Sequence, residues 1–137
     1  MNIYGLIGRS LGHSFSEKYF AEKFRRENIR DCVYQNFEIK ELAERIPLLK
    51  SDSRIKGLNI TIPYKTDIIS FLDEKSEEVA SINACNCIKI SKEKWKGFNT
   101  DIIGFEKSFT PHLKPFHKRA LILGTGGASK AVEFVLQ

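Results

Sequence analysis

Short apolar runs alternate along this chain with segments that have the apolar spacing of helices. Residues 3–7, 32–37 and 57–62 have the β-branched and aromatic content, or the strict alternation, that is typical of strands. Residues 16–28 and 40–49 lie between these runs and place apolar side chains three and four positions apart, as an amphipathic helix does. Strands and helices that alternate in this way pack into a mostly parallel sheet with helices on its faces. The pattern therefore predicts an α/β fold.

The rest of the chain continues with shorter elements. The expected elements are short helices at 67–72 and 76–82, a hairpin of 84–90 with 95–98, a helix at 101–109, a strand at 120–123 and a helix at 128–137. Ser16, Ser76 and one of the residues 99–101 have side chains that can cap a helix start. Residues 111–117 have the composition of a linker.

The composition excludes several classes of protein. The chain has 137 residues, the size of one domain or of one domain with part of another. Hydrophobic residues make up 42% and charged residues 28%, the mixture of a chain that buries a core rather than one that stays disordered. No apolar run reaches the roughly 18 residues of a membrane-spanning helix, and residues 1–4 lack signal-peptide features. Three cysteines are too few for a disulfide framework, so we expect a soluble protein of the reducing cytoplasm.

The charge and the cysteines point to neither nucleic acid nor metal. The net charge is +5, but basic and acidic residues are interspersed, as in residues 22–27, and form solvated helix faces rather than a stripe that follows phosphates. Cys85 and Cys87 face the same side of a predicted strand and have no histidine or cysteine at the spacing of a zinc site. We therefore expect no nucleic-acid, membrane or metal partner.

A glycine-rich turn joins the predicted strand 120–123 to the predicted helix 128–137. Glycines in this context let the backbone approach a pyrophosphate, and the unpaired amides at the helix start offer donors to phosphate oxygens. The turn predicts a dinucleotide site with the candidate residues Gly124, Thr125, Gly126, Gly127, Ala128 and Ser129. A tight turn without a ligand is the alternative. The residue that distinguishes NAD from NADP lies about 20 residues beyond such a turn, so the residues present leave that choice open.

A second group of polar residues follows the predicted strand 57–62. Asn59 and Thr61 point to the same side of this strand, and Lys65 comes just after the proline that ends it. A lysine at a strand end is commonly a surface residue, and Asp101, at a predicted helix start, has the position of a helix cap. If Lys65 and Asp101 meet, the pair can transfer a proton to a substrate oxygen during hydride transfer.

A third group lies in the loop 8–16, at the carboxyl end of the first predicted strand. Open α/β sheets bind ligands at this edge, and the hydroxyls of Ser14 and Ser16 beside a helix start suit a carboxylate. The alternative is that Ser14 only shapes the turn and Ser16 only caps the helix.

Five motifs, in order, resemble those of the shikimate dehydrogenase family. They are the loop at 8–16, the Asn-Ile-Thr-Ile-Pro-Tyr-Lys segment at 59–65, the segment at 83–87, the Gly-Phe-Asn-Thr-Asp signature with its later glycine at 97–104, and the turn at 124–131. The resemblance implies a substrate-binding domain at 1–100, then a linking helix and the truncated start of an NADP-binding Rossmann domain at 101–137. Glu17, Asn83 and Cys87 depart from the proline, glycine and threonine that the family commonly has there.

The resemblance also implies a role for each candidate residue. Lys65 and Asp101 would be the catalytic pair. This pair would also contact the substrate, together with five polar side chains: Ser14, Ser16, Asn59, Thr61 and Asn86. The two serines would hold the substrate carboxylate with the help of Asn59 and Thr61. Asn86 would orient ring hydroxyls together with Asp101. The glycine-rich turn would seat the pyrophosphate of NADP.

The reaction implied by the resemblance is the reversible NADP-dependent reduction of 3-dehydroshikimate to shikimate, in the route to aromatic amino acids. A quinate/shikimate dehydrogenase, a non-catalytic shikimate-binding module and a scaffold without ligand are the alternatives. Family members carry a complete cofactor domain and a late glutamine that contacts substrate, so we expect this chain alone to be unable to transfer hydride. We also expect the apolar side chains of 121–123 and 132–136 to promote association between copies or packing against the first domain.

Overall fold

Six strands form one sheet, and the computed structural model describes all of the residues 1–137. The strands are β1 (Asn2–Gly8), β2 (Cys32–Glu38), β3 (Ile55–Ile60), β4 (Glu74–Lys75), β5 (Cys87–Ser91) and β6 (Lys94–Phe98). Their order across the sheet is β2-β1-β3-β5-β6-β4. β1 pairs in parallel with β2 and β3, and β4 with β6, whereas β5 is antiparallel to both of its neighbours. The predicted α/β class is confirmed, with a mixed sheet in which parallel pairs predominate only slightly.

Five α-helices accompany the sheet. They are α1 (Ser16–Arg26), α2 (Leu42–Lys50), α3 (Glu77–Ile82), α4 (Thr100–Phe109) and α5 (Gly127–Leu136). The first of the two predicted short helices is a 3₁₀ helix, Asp67–Phe71. The hairpin of β5 and β6 is confirmed, and both residues of its turn, Lys92 and Glu93, have positive φ angles that match the twist of a hairpin. None of the helices has the length and the apolar character that crossing a membrane requires.

The larger hydrophobic core lies on the face of the sheet that α2 covers. Ile46 of α2, Ile7 of β1 and Trp95 of β6 are all almost fully buried there. The smaller core lies on the opposite face, because successive side chains of a strand alternate between faces. It contains Leu6 of β1 and Tyr34 of β2 under helix α1. Both cores therefore hold β1 in place, with its carboxyl end free to carry a loop.

The segment 120–123 is not a strand, so this prediction is wrong. It lies outside the sheet, and Leu121 and Leu123 are 84% and 88% exposed. A strand needs a neighbour for its backbone hydrogen bonds, and no other segment of the chain pairs with this one. Helix α5 forms as predicted and packs against α4 and α3 through the fully buried Ala131.

The predicted helix caps have different outcomes. Ser76 caps α3, since its hydroxyl accepts a hydrogen bond from Val79 N at 3.3 Å. Asn99 caps α4, since its side chain accepts from the backbone amides of the first turn. Ser16 is already the first helical residue of α1 and caps nothing, because the preceding residue, Phe15, occupies the cap position. The Ser16 hydroxyl is therefore left for other contacts.

Candidate functional site

Lys65 and Asp101 form an ion pair. Lys65 Nζ lies 2.7 Å from Asp101 Oδ2, although the two residues are 36 positions apart. Asp101 stands in the first turn of α4, where the positive end of the helix dipole favours a carboxylate. The two side chains are only 16% and 35% exposed, so solvent screens the pair less than it screens a pair on the open surface. The structure therefore brings an ammonium group and a carboxylate together in a partly sheltered place.

Asn86 holds the other oxygen of the Asp101 carboxylate. Its Nδ2 donates to Asp101 Oδ1 at 2.9 Å and to Thr100 Oγ1 at 2.9 Å, and its Oδ1 accepts from Thr100 N at 2.8 Å. Asn86 is buried, so these bonds satisfy polar atoms that have little access to water. Each oxygen of Asp101 thus has its own partner, and the carboxylate is held in one orientation.

Local structure places Lys65 at the edge of the sheet. The chain leaves β3, passes the cis peptide between Ile62 and Pro63, and is then anchored by Tyr64, which is buried. The Tyr64 hydroxyl donates to the carbonyl oxygens of Ile39 and Lys40, at 2.5 and 3.0 Å. The backbone oxygen of Lys65 accepts from Cys85 N at 2.7 Å. These contacts fix the backbone from which the lysine side chain extends.

A cap and a tether set the position of Asp101. Asn99 accepts hydrogen bonds from Asp101 N at 3.1 Å and from Ile102 N at 3.4 Å. Its Nδ2 donates to the backbone oxygen of Ala84 at 3.0 Å. Since Asn99 is buried, it connects the first turn of α4 to the segment that leads into β5. The start of α4 is thereby held against the sheet.

The residues assigned to the substrate carboxylate lie around the ends of β1 and β3. The Asn59 side chain accepts a hydrogen bond from the Tyr34 hydroxyl at 2.9 Å. Ser14 Oγ accepts from Ser16 N at 3.3 Å, so the two serines are in contact at the start of α1. The methyl group of Thr61 approaches Gly8 so closely that a Cβ added at Gly8 would lie 2.8 Å from it. All four assigned residues are partly exposed.

Backbone hydrogen bonds join the two groups of candidate residues. Ile60 N, beside Asn59 and Thr61, donates to the backbone oxygen of Asn86 at 2.8 Å. Thr61 N donates to the backbone oxygen of Ile7 at 2.9 Å, so the ends of β1 and β3 are adjacent. Both groups therefore lie along the edge formed by the carboxyl ends of β1 and β3 and the start of β5. Open α/β sheets bind ligands at the carboxyl ends of their strands.

An open groove next to this edge does not contain the ion pair. Its volume is about 450 Å³, and Phe20 and Phe24 of α1 line it together with Tyr34, Asn59 and Cys87. Lys65 and Asp101 are absent from the lining. The apolar groove and the polar edge of the sheet thus share Asn59 but are separate features of the surface.

The glycine-rich turn fits a phosphate group. Gly124 has a φ of +129°, which favours glycine, and a Cβ added at Gly124 or Gly126 would meet no atom within 4 Å. No side chain caps the start of α5 at Gly126, so the first amides of this helix are left to bind an anion. Thr125 and Ala128 are exposed, and Ser129 Oγ donates to the backbone oxygen of Gly126 at 2.7 Å.

Gly127 connects the glycine-rich turn to the ion pair. A Cβ added at Gly127 would lie 2.7 Å from Lys65 Cβ and 3.6 Å from Ala84 Cβ. The start of α5 therefore packs directly against the stem of Lys65. The candidate phosphate site and the candidate proton donor are neighbours in the fold.

The cysteines lack the character of nucleophiles. Burial raises the pKa of Cys85 to about 11 and also raises the pKa of Cys87, so both remain thiols at neutral pH. All three cysteines are free. No three His, Cys, Asp or Glu side chains gather in a way that could hold a metal ion. The chemistry that the site offers is proton transfer and hydrogen bonding.

The chain matches a known protein family over most of its sheet. Residues 6–88 match the model of the shikimate dehydrogenase substrate binding domain, which is more than half of the chain. The chain belongs to the shikimate dehydrogenase family. Its relatives include the shikimate dehydrogenase (NADP(+)) of Caldicellulosiruptor saccharolyticus, which is 44% identical over 130 residues, 92% of this chain and 46% of the relative.

Solved structures of the shikimate dehydrogenase family have the same fold. The structure from Aquifex aeolicus is 38% identical with a TM-score of 0.85, and the comparison covers 99% of this chain and 52% of that one. A structure from Thermus thermophilus, described as a complex with NADP(H) and shikimate, is 29% identical with a TM-score of 0.82 over the same shares. The chain spans about half the length of the shikimate dehydrogenases it matches.

Of the three residues that depart from the family motifs, two occupy positions that suit their side chains. Asn83 ends α3 with φ 51° and ψ 45°, the left-handed conformation that glycine adopts freely and asparagine tolerates well. Glu17 lies in the first turn of α1, where an acidic side chain interacts favourably with the helix dipole. Cys87 stands on β5 opposite Asn59 and lines the groove.

Tyr34 and Tyr64 contact the site although no sequence motif predicted a role for them. Tyr34 contacts Asn59, and Tyr64 anchors the backbone next to Lys65. Tyr34 lies in a predicted strand, where an aromatic residue is ordinary core. For Tyr64 a signal was available, because it adjoins Lys65 in the motif at 59–65. Neither hydroxyl's partner could be identified without the packing of the strands.

Proposed function

We propose that this chain comprises the substrate-binding part, residues 1–100, and the beginning of the cofactor-binding part, residues 101–137, of an NADP-dependent shikimate dehydrogenase. The reaction is the reversible reduction of 3-dehydroshikimate to shikimate. The observation that carries the proposal is the 2.7 Å ion pair of Lys65 with Asp101, oriented by Asn86, in a chain of this family. Such a pair suits a step in which a carbonyl oxygen receives a proton.

The substrate lies along the edge of the sheet in this proposal. Ser14 and Ser16 donate to its carboxylate, and Asn59 and Thr61 complete that end of the site. Support comes from the hydroxyl groups gathered at the ends of β1 and β3 beside the start of α1. Asn86 lies between this end and the ion pair, because its backbone bonds Ile60 and its side chain bonds Asp101, and it orients ring hydroxyls.

Lys65 is the proton donor for the reduction. Its ammonium group donates a proton to the C3 carbonyl oxygen of 3-dehydroshikimate, and in the reverse direction Lys65 accepts the hydroxyl proton. Asp101 directs Nζ, while Asn86 keeps the carboxylate from turning away. A positioned proton transfer of this kind typically contributes about 10²- to 10⁴-fold in rate.

The glycine-rich turn holds the pyrophosphate of NADP in this proposal. The residues that would contact it are Gly124, Thr125, Gly126, Gly127, Ala128 and Ser129. The cofactor would supply the hydride as NADPH in the reduction and accept it as NADP⁺ in the reverse direction. The open space around Gly124 and Gly126 and the uncapped start of α5 support the assignment. The contact of Gly127 with the stem of Lys65 brings this turn next to the proton donor.

Calorimetric titration of the 137-residue chain with shikimate tests the proposal. We expect binding, and we expect Lys65→Ala to weaken it by about 3- to 10-fold, because a charged hydrogen bond to the ligand is lost. Lys75→Ala is the matched control, since Lys75 is an exposed lysine at the far edge of the sheet and should leave the affinity unchanged. A chain that binds no shikimate, or equal affinities for all three proteins, would contradict the proposal.

Two further measurements separate the alternatives. A titration with quinate distinguishes a shikimate-selective site from a quinate/shikimate site. Addition of NADP to the shikimate complex, followed by the absorbance of reduced nicotinamide, tests for turnover. Our expectation that this chain does not transfer hydride by itself stays a prediction, and a normal rate of turnover would contradict it. Shikimate binding that is indifferent to Lys65→Ala would favour a non-catalytic binding module.

A further inference from the structure

The Tyr34 hydroxyl reaches from β2 across β1 to β3. Tyr34 lies opposite Tyr4 of β1, and Asn59 of β3 lies opposite Leu6 of β1. The Tyr34 side chain therefore spans one whole strand before its Oη donates to Asn59 Oδ1 at 2.9 Å. This bond joins the two strands that flank β1 on the side of the sheet covered by α1.

Packing holds the Tyr34 ring in place. The ring stacks on Phe20 of α1, with centroids 4.4 Å apart and planes at 13°. It also belongs to the buried cluster with Leu6 and Leu11, and Tyr34 is only 7% exposed. A ring that is clamped on both sides has little rotamer freedom, so its hydroxyl has a fixed position.

The hydroxyl determines which atoms Asn59 offers to a ligand. Burial raises the pKa of Tyr34 to about 12, so the hydroxyl keeps its proton at neutral pH. The proton is donated to Oδ1 of Asn59, and the amide nitrogen with its two N–H donors is left for another partner. A carboxylate accepts hydrogen bonds and does not donate them, so a donor is what a carboxylate site requires.

Tyr34 is also linked to α1. Its ring stacks on Phe20, which lies on the helix that begins at Ser16. Ser16 N in turn donates to Ser14 Oγ at 3.3 Å. Tyr34 thus contacts Asn59 and the helix that starts at the serine pair, the groups that the proposed function assigns to one carboxylate.

We propose that Tyr34 is a positioning residue for the substrate carboxylate: its hydroxyl occupies Asn59 Oδ1 and thereby turns the Asn59 amide N–H groups toward the ligand. The inference rests on the proposed function, because it assumes that a carboxylate binds at this edge. Tyr34 itself does not contact the ligand. Its effect on binding passes through Asn59.

The test is a double-mutant cycle on the 137-residue chain, with shikimate and its methyl ester as the two ligands in calorimetric titrations. Tyr34→Phe should weaken shikimate binding by about 5- to 20-fold, since one oriented hydrogen bond is lost. In the Asn59→Ala background, Tyr34→Phe should lower the shikimate affinity by less than about twofold, because the group that Tyr34 orients is absent. Binding of the methyl ester, which lacks the carboxylate charge, should be much less sensitive to Tyr34→Phe.

Tyr4→Phe is the matched control. Tyr4 is the residue opposite Tyr34 in the strand register, and its ring contacts Phe24. We expect this variant to bind shikimate within about twofold of the original chain. Amide spectra of each variant verify the fold, and the side-chain amide resonances of Asn59 should shift on shikimate binding in the original chain but much less in Tyr34→Phe.

Two results would overturn the role of Tyr34 while leaving the proposed function intact. The first is an affinity of Tyr34→Phe equal to that of the original chain while Asn59→Ala weakens binding. The second is that the losses of shikimate binding free energy in Tyr34→Phe and Asn59→Ala add up in the double variant, as a purely structural role of Tyr34 predicts. An original chain that is folded and binds no shikimate would instead overturn the proposed function, and this inference with it.

Discussion

At the scale of single residues, the Asp101 carboxylate has a separate partner for each of its oxygens. Oδ2 receives Lys65 and Oδ1 receives Asn86. Bonds to ionised groups are strong and directional, so the two together prevent rotation of the carboxylate. A long lysine side chain loses considerable rotamer entropy when it is fixed in one conformation. The oriented Asp101 carboxylate already restricts the Lys65 side chain in the free protein. The geometry at Lys65 is therefore set before any ligand arrives.

Gly127 has no room for a side chain beside the stem of Lys65. We expect Gly127→Ala to lower the free energy of unfolding by about 1–3 kcal/mol, because the new methyl group would overlap Lys65 Cβ, which cannot move without its backbone. The start of α5 or the stem of Lys65 must shift, so shikimate affinity should fall as well. Urea unfolding and calorimetric titration measure the two effects.

Gly126→Ala is the control for this prediction. Gly126 has φ −77° and ψ 178°, which any residue adopts, and a Cβ there meets open space. We expect this variant to retain the stability of the original chain or to gain slightly, since alanine restricts the unfolded chain. Equal stability of the two alanine variants would show that the contact of α5 with Lys65 does not form.

At the scale of elements, the site is built from the ends of strands and helices. β3 and β1 end side by side, α4 begins at a buried cap, and α5 begins against Lys65. Ends of elements carry unpaired backbone groups, which side chains or ligands must satisfy. Asn99 satisfies the amides of α4, whereas the start of α5 has no side-chain cap. The amides at the start of α5 are therefore open to a ligand.

Asp73 joins the strand β6 to the helix α2. Its side chain accepts from Trp95 N of β6 at 2.7 Å and from Lys50 Nζ of α2 at 3.1 Å. We expect Asp73→Asn to lower the free energy of unfolding by about 1 kcal/mol at neutral pH, a small value because the carboxylate is partly exposed and screened. Asp31→Asn, at an exposed position, should change it by less than about 0.5 kcal/mol.

The pH dependence of this effect has a definite sign. The backbone amide of Trp95, assisted by Lys50, holds the pKa of Asp73 below its ordinary value. The unfolded state therefore binds the proton more readily, and the stabilisation by Asp73 is complete above the ordinary pKa of about 3.9. It is lost as the pH falls through that value toward the lower pKa of the folded state. The difference between the original chain and Asp73→Asn should be constant above about pH 5 and shrink below about pH 4, and a constant difference throughout would contradict this.

At the scale of the whole molecule, the apolar surface is distributed unevenly. The face under α2 is well covered, whereas the face under α1 carries the 450 Å³ groove. Residues 113–121 are exposed throughout, and Leu121 and Leu123 are almost fully accessible to solvent. Exposed apolar side chains of this size are typical of surfaces that associate. Part of the expected packing against residues 1–100 is present, since α5 contacts α3.

Association between copies therefore stays a prediction for this chain. We expect light scattering to give a mass that rises above that of one chain as the concentration increases. The double variant Leu121→Ser, Leu123→Ser should remain at the mass of one chain, because the most exposed leucines are removed. A strictly monomeric original chain at all concentrations would contradict the expectation.

Local patterns explain why most elements were predictable. The helices α1 and α2, the strands β1 to β3 and the β5–β6 hairpin follow periodicities and turn residues that act over a few positions. The two-residue strand β4 was not predicted, because a pairing of that length leaves no pattern. The strand at 120–123 was predicted wrongly, since its apolar run is strand-like but a strand exists only with a partner.

Reading the amino-acid chain was enough to identify the available chemical groups and the elements that carry them: a lysine after a strand, an aspartate at a helix start and glycines before a helix. The folded structure was needed to show that Lys65 meets Asp101, that Asn86 holds the second carboxylate oxygen, and that Tyr34 bonds Asn59 across β1. The two kinds of information act over different distances along the chain. Helix and strand propensities depend on neighbours within a few residues, whereas contacts between residues 15 to 36 positions apart depend on strand order and core packing.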